Sequence, residues 1–208
     1  MNALVITGGA YPELEAIGDL IDAAELIVAA DSGLETASAY GVRPSIVVGD
    51  FDSLSDESLL AAYDEASIRR FSAEKDFTDT ELALRVARDE GATAVHLIGG
   101  GGGRVDHLLA IAALFERDAS PDLWVTDTSS IRAFDSELVE HGAVGETISF
   151  FPLGCVPCRM SSTGLKWPLD SLTWERGDFG LSNEFSDHEA RIRVRSGRLL
   201  VIRPAGSV

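Results

Sequence analysis

The chain has 208 residues, 45% of them hydrophobic and 25% charged, with a formal net charge of −17. A soluble chain of this length buries enough surface to fold without covalent staples, and two cysteines are too few for the disulfide framework of a small secreted fold. The acidity repels nucleic acid and anionic membrane, so neither is expected as a partner, and an anionic ligand would need metal ions or a few placed cations to approach.

The N-terminal run MNALVITGG has no basic start, no long apolar stretch and no cleavage site, and reads as a first strand rather than a signal peptide. The strand signal runs from Leu4 to Thr7 and ends in Gly8-Gly9. Residues 12–23 carry helical spacing through Leu14, Ile17, Leu20 and Ile21. Leu26–Ala30 is a second apolar run, closed by Asp31-Ser32-Gly33, and the helix pattern after it stops at Gly41. Ile46–Val48 is a third strand, ending in GDFDS; residues 56–65 read as helical and Ile68–Phe71 as a short strand. A strong helix pattern covers Thr78–Glu90, a strand Ala94–Ile98, and an apolar helix Val105–Phe115 follows the run GGGGGR. Short continuous apolar strands separated by helices indicate a parallel sheet covered on both faces. Residues 1–120 are therefore expected to form a doubly wound α/β domain, with ligands at the carboxyl ends of its strands.

From Pro121 the pattern changes to short strands and turns, at Leu123–Thr126, Ile131–Phe134, Glu146–Phe151, Glu189–Val194 and Leu199–Ile202. Residues 121–208 are expected to form a small all-β sandwich, with RSGRLLVIRP as a hairpin around Ser196-Gly197. Cys155 and Cys158 lie in CVPC between strand and turn signals rather than at a helix start, and read as structural, reduced thiols that suit the cytoplasm.

Three polar clusters follow strands directly and would gather on one sheet edge. Asp50 and Asp52 lie two apart, and on extended chain both carboxylates face one way, a suitable pair for a hydrated Mg²⁺ ion; a solvated turn in which Asp52 or Ser53 caps the next helix is the alternative. In Lys75-Asp76-Phe77-Thr78-Asp79-Thr80-Glu81, Thr78 and Glu81 fit a capping box, which does not need Lys75, Asp76 or Asp79; these offer a third carboxylate for a metal and a cation for phosphate. The glycines from Gly99 to Gly103 let backbone N–H groups approach a phosphate, while Arg104 and Asp106 are suited to a phosphoryl group and to metal or substrate. The run is neither a Walker A loop nor GxGxxG. His107 is a helix-start packing residue or a ligand contact. In the β region, Trp167 beside Pro168 is core or a stacking platform, and Ser182-Asn183 are turn residues or hydrogen-bond partners of a heteroaromatic ring. Together the clusters suggest Mg²⁺-assisted phosphoryl-type transfer, a chemistry of positioning and charge neutralisation.

The ordered set ADSG, GDFDS, KDFTDTELAL, GGGGGRVDH, GLKWPL and GLSNE resembles the thiamine pyrophosphokinase family from about residue 6 to residue 184. The resemblance implies an ATP-binding α/β domain, a thiamine-binding β-sandwich, and a homodimer with active sites at the subunit interface. It implies attack of the thiamine hydroxyl on the β-phosphorus of ATP. By position, Asp50, Asp52 and Asp79 look like the Mg²⁺ and catalytic carboxylates, and Arg104 and Asp106 like phosphate and substrate contacts. Asp31, Gly33, Lys75, Asp76, Thr78 and the glycines Gly99, Gly100, Gly102 and Gly103 fall on the nucleotide side. His107, Trp167, Ser182 and Asn183 fall on the thiamine side. A pyrophosphokinase for another heterocyclic alcohol such as a pterin, or a non-catalytic nucleotide or thiamine sensor, would share part of this set.

Overall fold

A computed structural model describes residues 1–72, 74, 76–117, 120–170 and 172–204. They divide into two compact units, Met1–Thr128 and Ser129–Val208.

The first unit holds strands β1 (Asn2–Thr7), β2 (Leu26–Ala30), β3 (Ile46–Gly49), β4 (Ile68–Arg70), β5 (Ala94–Ile98) and β6 (Leu123–Val125), with helices α1 (Leu14–Asp22), α2 (Gly33–Ala39), α3 (Asp79–Asp89) and α4 (Val105–Leu114). The strands pair in parallel in the order β6-β5-β1-β2-β3-β4. Leu123–Val125, which the sequence pattern groups with the β region, completes this parallel sheet beside β5. The pattern changes at Pro121 in sequence, but the following Asp122 is tied to β5: its N–H donates to the Val95 carbonyl at 2.8 Å, and its carboxylate accepts from the Val95 N–H at 2.7 Å.

Both faces of the sheet are covered, as continuous apolar strands require. Leu4 and Ile6 of β1 pack with Ile17 of α1 and Ala37 of α2. Burial of each such Leu or Ile stabilises the fold by roughly 1.5–3 kcal/mol. The Thr7 side chain meets Thr80 of α3, hydroxyl to hydroxyl at 2.8 Å, and α3 runs against β1, β2 and β3. The helical reading of residues 56–65 resolves into two 3-10 turns, Glu57–Ala62 and Glu65–Ser67, the first capped by the Asp56 carboxylate on the Ser58 N–H at 2.9 Å. Strand order reverses about β1: β2 to β4 lie on one side of it, β5 and β6 on the other. In such a sheet the ligand crevice lies at the carboxyl ends of the strands near this reversal.

The second unit is a pair of antiparallel sheets. Its strands are β7 (Ser129–Phe134), β8 (Glu137–His141), β9 (Thr147–Leu153), β10 (Cys158–Thr163), β11 (Thr173–Trp174), β12 (Gly180–Glu184), β13 (Glu189–Ser196) and β14 (Arg198–Pro204). One sheet runs β12-β9-β14-β7, the other β11-β10-β13-β8. Their inner faces share one core, including Ile148, Phe150, Met160, Phe185, Ile192 and Leu199. The expected hairpin at Ser196-Gly197 is not a hairpin. β13 pairs with β10 and β8, whereas β14 pairs with β7 and β9, so the chain changes sheets at this turn. Gly197 permits the corner: its φ is +80°, and a Cβ there would lie 2.8 Å from the Cys158 Cα. Cys158 is fully buried at the start of β10 and Cys155 is exposed.

Candidate active site

Five loops at the carboxyl edge of the parallel sheet surround a cleft of about 600 Å³. They are Gly8–Ala10 after β1, Asp31-Ser32 after β2, Ser53 in the loop after β3, Thr78-Asp79 at the start of α3, and the glycine run after β5; Asp50 and Asp52, on the same loop as Ser53, do not line it. An antiparallel bridge between Ala10 and Gly101 fastens the first loop to the last.

The aspartates form a tight group. One carboxylate oxygen from each of Asp31, Asp50 and Asp52 lies within 4.8 Å of the others. The sequence reading paired Asp50 and Asp52 with Asp79 and put Asp31 on the nucleotide side; the geometry adds Asp31 to the pair. Asp79 lines the cleft and acts on Asp31 electrostatically. Burial is the main cause that raises the Asp31 pKa above the ordinary carboxylate value; the charges of Asp79 and Asp50 add to it, and hydrogen bonds from the Ser32 N–H and the Ser53 hydroxyl oppose it. The Asp31 Oδ1 atom is buried with no hydrogen-bond partner. Strand alternation does not bring Asp50 and Asp52 together. Phe51 between them has φ +67°, and its ring is buried with Leu34 of α2 and Leu60. Among the described residues, the non-glycine residues with left-handed backbone are Asp31, Phe51 and Ser182, in the ADSG, GDFDS and GLSNE segments. Such strain persists only where the surroundings enforce it, and it collects at functional sites.

The glycine run is more self-occupied than the sequence suggests. The N–H groups of Gly99, Gly100 and Gly101 donate to the carbonyls of Val125, Gly8 and Ala10 at 3.0, 2.8 and 3.1 Å. Among the described residues, the N–H groups of Gly102 and Gly103 have no such partner, and Gly100, Gly102 and Gly103 line the cleft. Gly33 and Gly99 do not line it. Each allows a close backbone approach: a Cβ on Gly33 would meet the Ile6 carbonyl oxygen at 2.1 Å, and one on Gly99 the Thr7 oxygen at 2.4 Å.

Arg104 lines the cleft and His107 stands one turn into α4 beside it. Arg104 forks onto Asp106 through Nε and Nη2 at 2.8 and 2.6 Å, with both side chains largely exposed. That bidentate pair holds the Asp106 carboxyl far below the usual carboxylate range and raises Arg104. Thr78 caps α3 by accepting from the Glu81 N–H at 3.2 Å. The capping box is only half made, because the buried Glu81 carboxylate accepts from Arg85 at 2.9 Å and Arg117 at 2.7 Å, and two guanidiniums outcompete one N–H. Asp76 is exposed and outside the cleft lining, and Lys75 lies outside the described residues.

In the second unit, Trp167 is half exposed, with the Lys166 ammonium 4.4 Å from its ring centroid. Asn183 is buried and spent on backbone: Oδ1 accepts from the N–H groups of Trp167 and Glu184, and Nδ2 donates to the Trp167 carbonyl at 2.7 Å. It therefore clamps the Trp167 turn. Ser182 has φ +55° at a bulge of β12, and its N–H donates to the Ser149 hydroxyl at 3.0 Å. The sequence reading missed Gly8-Gly9, Ser32 and Ser53 as cleft residues; the signal was there, since Gly8 directly follows β1 and the two serines lie in the polar clusters after β2 and β3.

Two family models match the chain: thiamin pyrophosphokinase, catalytic domain, over residues 17–126, and thiamin pyrophosphokinase, vitamin B1 binding domain, over residues 136–199. A curated thiamine pyrophosphokinase of Bacillus subtilis (strain 168) is 26% identical over 206 residues, 96% of each chain. A crystal structure of thiamine pyrophosphokinase from Bacillus subtilis superposes with a TM-score of 0.79 at 24% identity, covering 99% of both chains, and shows the shared fold. The thiamin pyrophosphokinase structure from Geobacillus thermodenitrificans gives 0.76 at 25% identity over 100% of both.

Proposed function

The chain belongs to the thiamin pyrophosphokinase family of enzymes, and from that premise we propose that it transfers a diphosphate group from ATP to the hydroxyl of thiamine with Mg²⁺, giving thiamine diphosphate and AMP. The observation that carries the nucleotide and metal side of this reading is the buried, unpartnered Asp31 Oδ1 beside Asp50 and Asp52. A buried lone pair among like charges is unfavourable unless a cation takes it. This donor set of hard oxygens suits Mg²⁺. Asp31, Asp50 and Asp52 would hold the ion, with Asp79 alongside. Bound there, Mg²⁺ neutralises phosphate charge and acts as a Lewis acid on phosphoryl oxygens.

The chain's own groups supply the positioning. The N–H groups of Gly102 and Gly103 and the Arg104 guanidinium meet phosphate oxygens. Arg104 exchanges one bidentate acceptor, Asp106, for another of the same geometry, so its fork is preshaped. His107 and Asp106 border the substrate. Trp167 offers a flat face to a thiamine ring, on a turn that Asn183 holds in place. We assign nucleotide binding to the first unit and thiamine binding to the second. α4 exposes Val105, Leu108 and Leu109 at 68%, 38% and 61%, an apolar stripe at helical spacing beside Arg104 and His107. That stripe supports a homodimer with the site at the subunit interface. No helix among the described residues is long and apolar enough to cross a membrane, and the two unpaired cysteines favour a reducing, cytoplasmic setting.

The test is AMP formation from ATP and Mg²⁺ with and without thiamine, with the product identified by mass. Thiamine-dependent AMP together with thiamine diphosphate is expected. AMP formed only with a pterin alcohol would overturn the substrate assignment. Ligand binding without AMP release would make the chain a sensor.

A further inference from the structure

We propose that Glu35 is a positioning residue for the metal site: it tethers the loop carrying Asp50 and Asp52 to the helix that follows Asp31. The inference rests on the cation reading of the Asp31, Asp50 and Asp52 cluster. Glu35 lies one helical turn after Asp31, on α2. Its Oε1 accepts from both the N–H and the hydroxyl of Ser55, at 2.6 and 2.8 Å. Ser55 is three residues after Asp52. Nearer the cluster, the Ser53 hydroxyl donates to Asp52 Oδ1 at 3.1 Å. Leu34, next to Glu35 on α2, packs in the cluster that buries the Phe51 ring. The loop is thus held to α2 at Phe51 through Leu34 and at Ser55 through Glu35.

The need for a tether follows from charge. Three carboxylates within 4.8 Å repel one another before a cation arrives, and the loop that carries two of them relaxes outward unless something holds it. A carboxylate accepting two hydrogen bonds from one residue is a strong, oriented anchor. Glu35 therefore sets the spacing between Asp31 and the other two aspartates in advance, so less ordering is required on cation binding. Groups that orient metal-binding side chains typically carry a 10–100-fold effect on metal affinity.

The test measures Mn²⁺ binding to the full-length, metal-free protein without nucleotide, from the free-Mn²⁺ paramagnetic resonance signal, alongside thermal melting. Glu35→Ala is expected to weaken Mn²⁺ binding about tenfold while the metal-free melting transition stays cooperative. Glu35→Gln keeps an acceptor oxygen without the charge, and is expected to bind within about threefold of the parent, the loss being that of one charge contribution rather than of the tether. Unchanged Mn²⁺ affinity in Glu35→Ala would overturn the inference. So would Glu35→Gln binding as weakly as Glu35→Ala, since only the charge would then matter. Asp52→Asn separates the two levels: a parent protein whose Mn²⁺ binding is insensitive to Asp52→Asn overturns the cation reading and the tether with it.

Discussion

Residues 1–128 contain 24 Asp and Glu against 8 Lys and Arg, a formal −16, whereas residues 129–208 contain 10 against 9, a formal −1. Both units bury a paired carboxylate, Glu81 in the first and Glu140 in the second, but they differ in where like charges gather. In the β-sandwich, Arg203 is 7% exposed and donates to Glu140 at 2.9 Å and to Glu146, and Glu140 also accepts from Arg132. The Arg203 Nε lacks a partner, but the guanidinium lies over the Phe185 ring. In the α/β unit, like charges converge instead: Asp31, Asp50 and Asp52 share one small volume, with Asp79 acting on Asp31. Opposite charges that satisfy each other specify architecture. Like charges held together store a demand for a ligand. The sandwich thus uses these ionisable groups to build, whereas the carboxyl edge of the α/β sheet gathers them to equip a site.

The largest expected effect tests the architectural side. Arg203→Met leaves the buried Glu140 carboxylate short of a partner and should lower stability by about 3–5 kcal/mol, read by urea unfolding. The exposed Arg191, paired with Glu137, gives the reference: Arg191→Met should change stability by about 0–1 kcal/mol. Equal losses from the two variants would remove the architectural role of the buried Arg203–Glu140 pair, on which the contrast rests. Next comes the equipped side. Asp52→Asn is expected to reduce turnover roughly 100-fold or more, in the range seen when a key electrostatic group is removed, with melting unchanged or raised because Asp52 is exposed. A fully active Asp52→Asn enzyme would remove Asp52 from the cation site.

How much of this was legible in sequence depended on whether a signal was local. The parallel strands announced themselves as short apolar runs, and their carboxyl ends located the cleft loops. Asp31 was visible as a polar residue after a strand, but its grouping with Asp50 and Asp52 depends on β2 and β3 being neighbours, a pairing that single-strand patterns do not encode. Phe51 looked like the odd residue of an alternating strand, yet its left-handed backbone and buried ring produce a turn. In the β unit, β8 was obscured because its buried residue is Glu140 rather than an apolar one. β12 was obscured by the bulge near Ser182. Asn183 read first as a turn residue, and as a ligand contact through the family resemblance; its three backbone hydrogen bonds give it the clamping role.

A smaller effect separates the two uses within the sandwich itself. Trp167→Ala should raise the thiamine KM about fivefold, equivalent to about 1 kcal/mol of lost stacking, and leave the ATP KM and the unfolding midpoint unchanged, because the ring is 51% exposed. Equal effects on both substrates, or a fall in stability, would return Trp167 to the structural side with Arg203.

The smallest expected change is the most direct probe of stored repulsion. Asp31 has its folded-state pKa raised, chiefly by burial and further by Asp79 and Asp50. The folded, metal-free chain therefore binds a proton at Asp31 more tightly than the unfolded chain, whose carboxylate titrates near ~3.9. Stability from this group is present at pH below that value and is lost as pH rises through the raised folded pKa, so at neutral pH ionised Asp31 is a net burden. Asp31→Asn removes the burden, and asparagine tolerates the left-handed φ of +48°. The metal-free variant should melt about 2 °C higher than the parent at pH 7, a shift that corresponds to under about 1 kcal/mol for a chain of this size. The advantage should shrink as pH is lowered toward ~4. Addition of Mg²⁺ should reverse the ranking, since the parent gains stability from binding and the variant does not. If Asp31→Asn instead lowers the metal-free melting temperature at pH 7, Asp31 is held by satisfied contacts in the manner of Arg203, and the α/β unit stores no repulsion at that position.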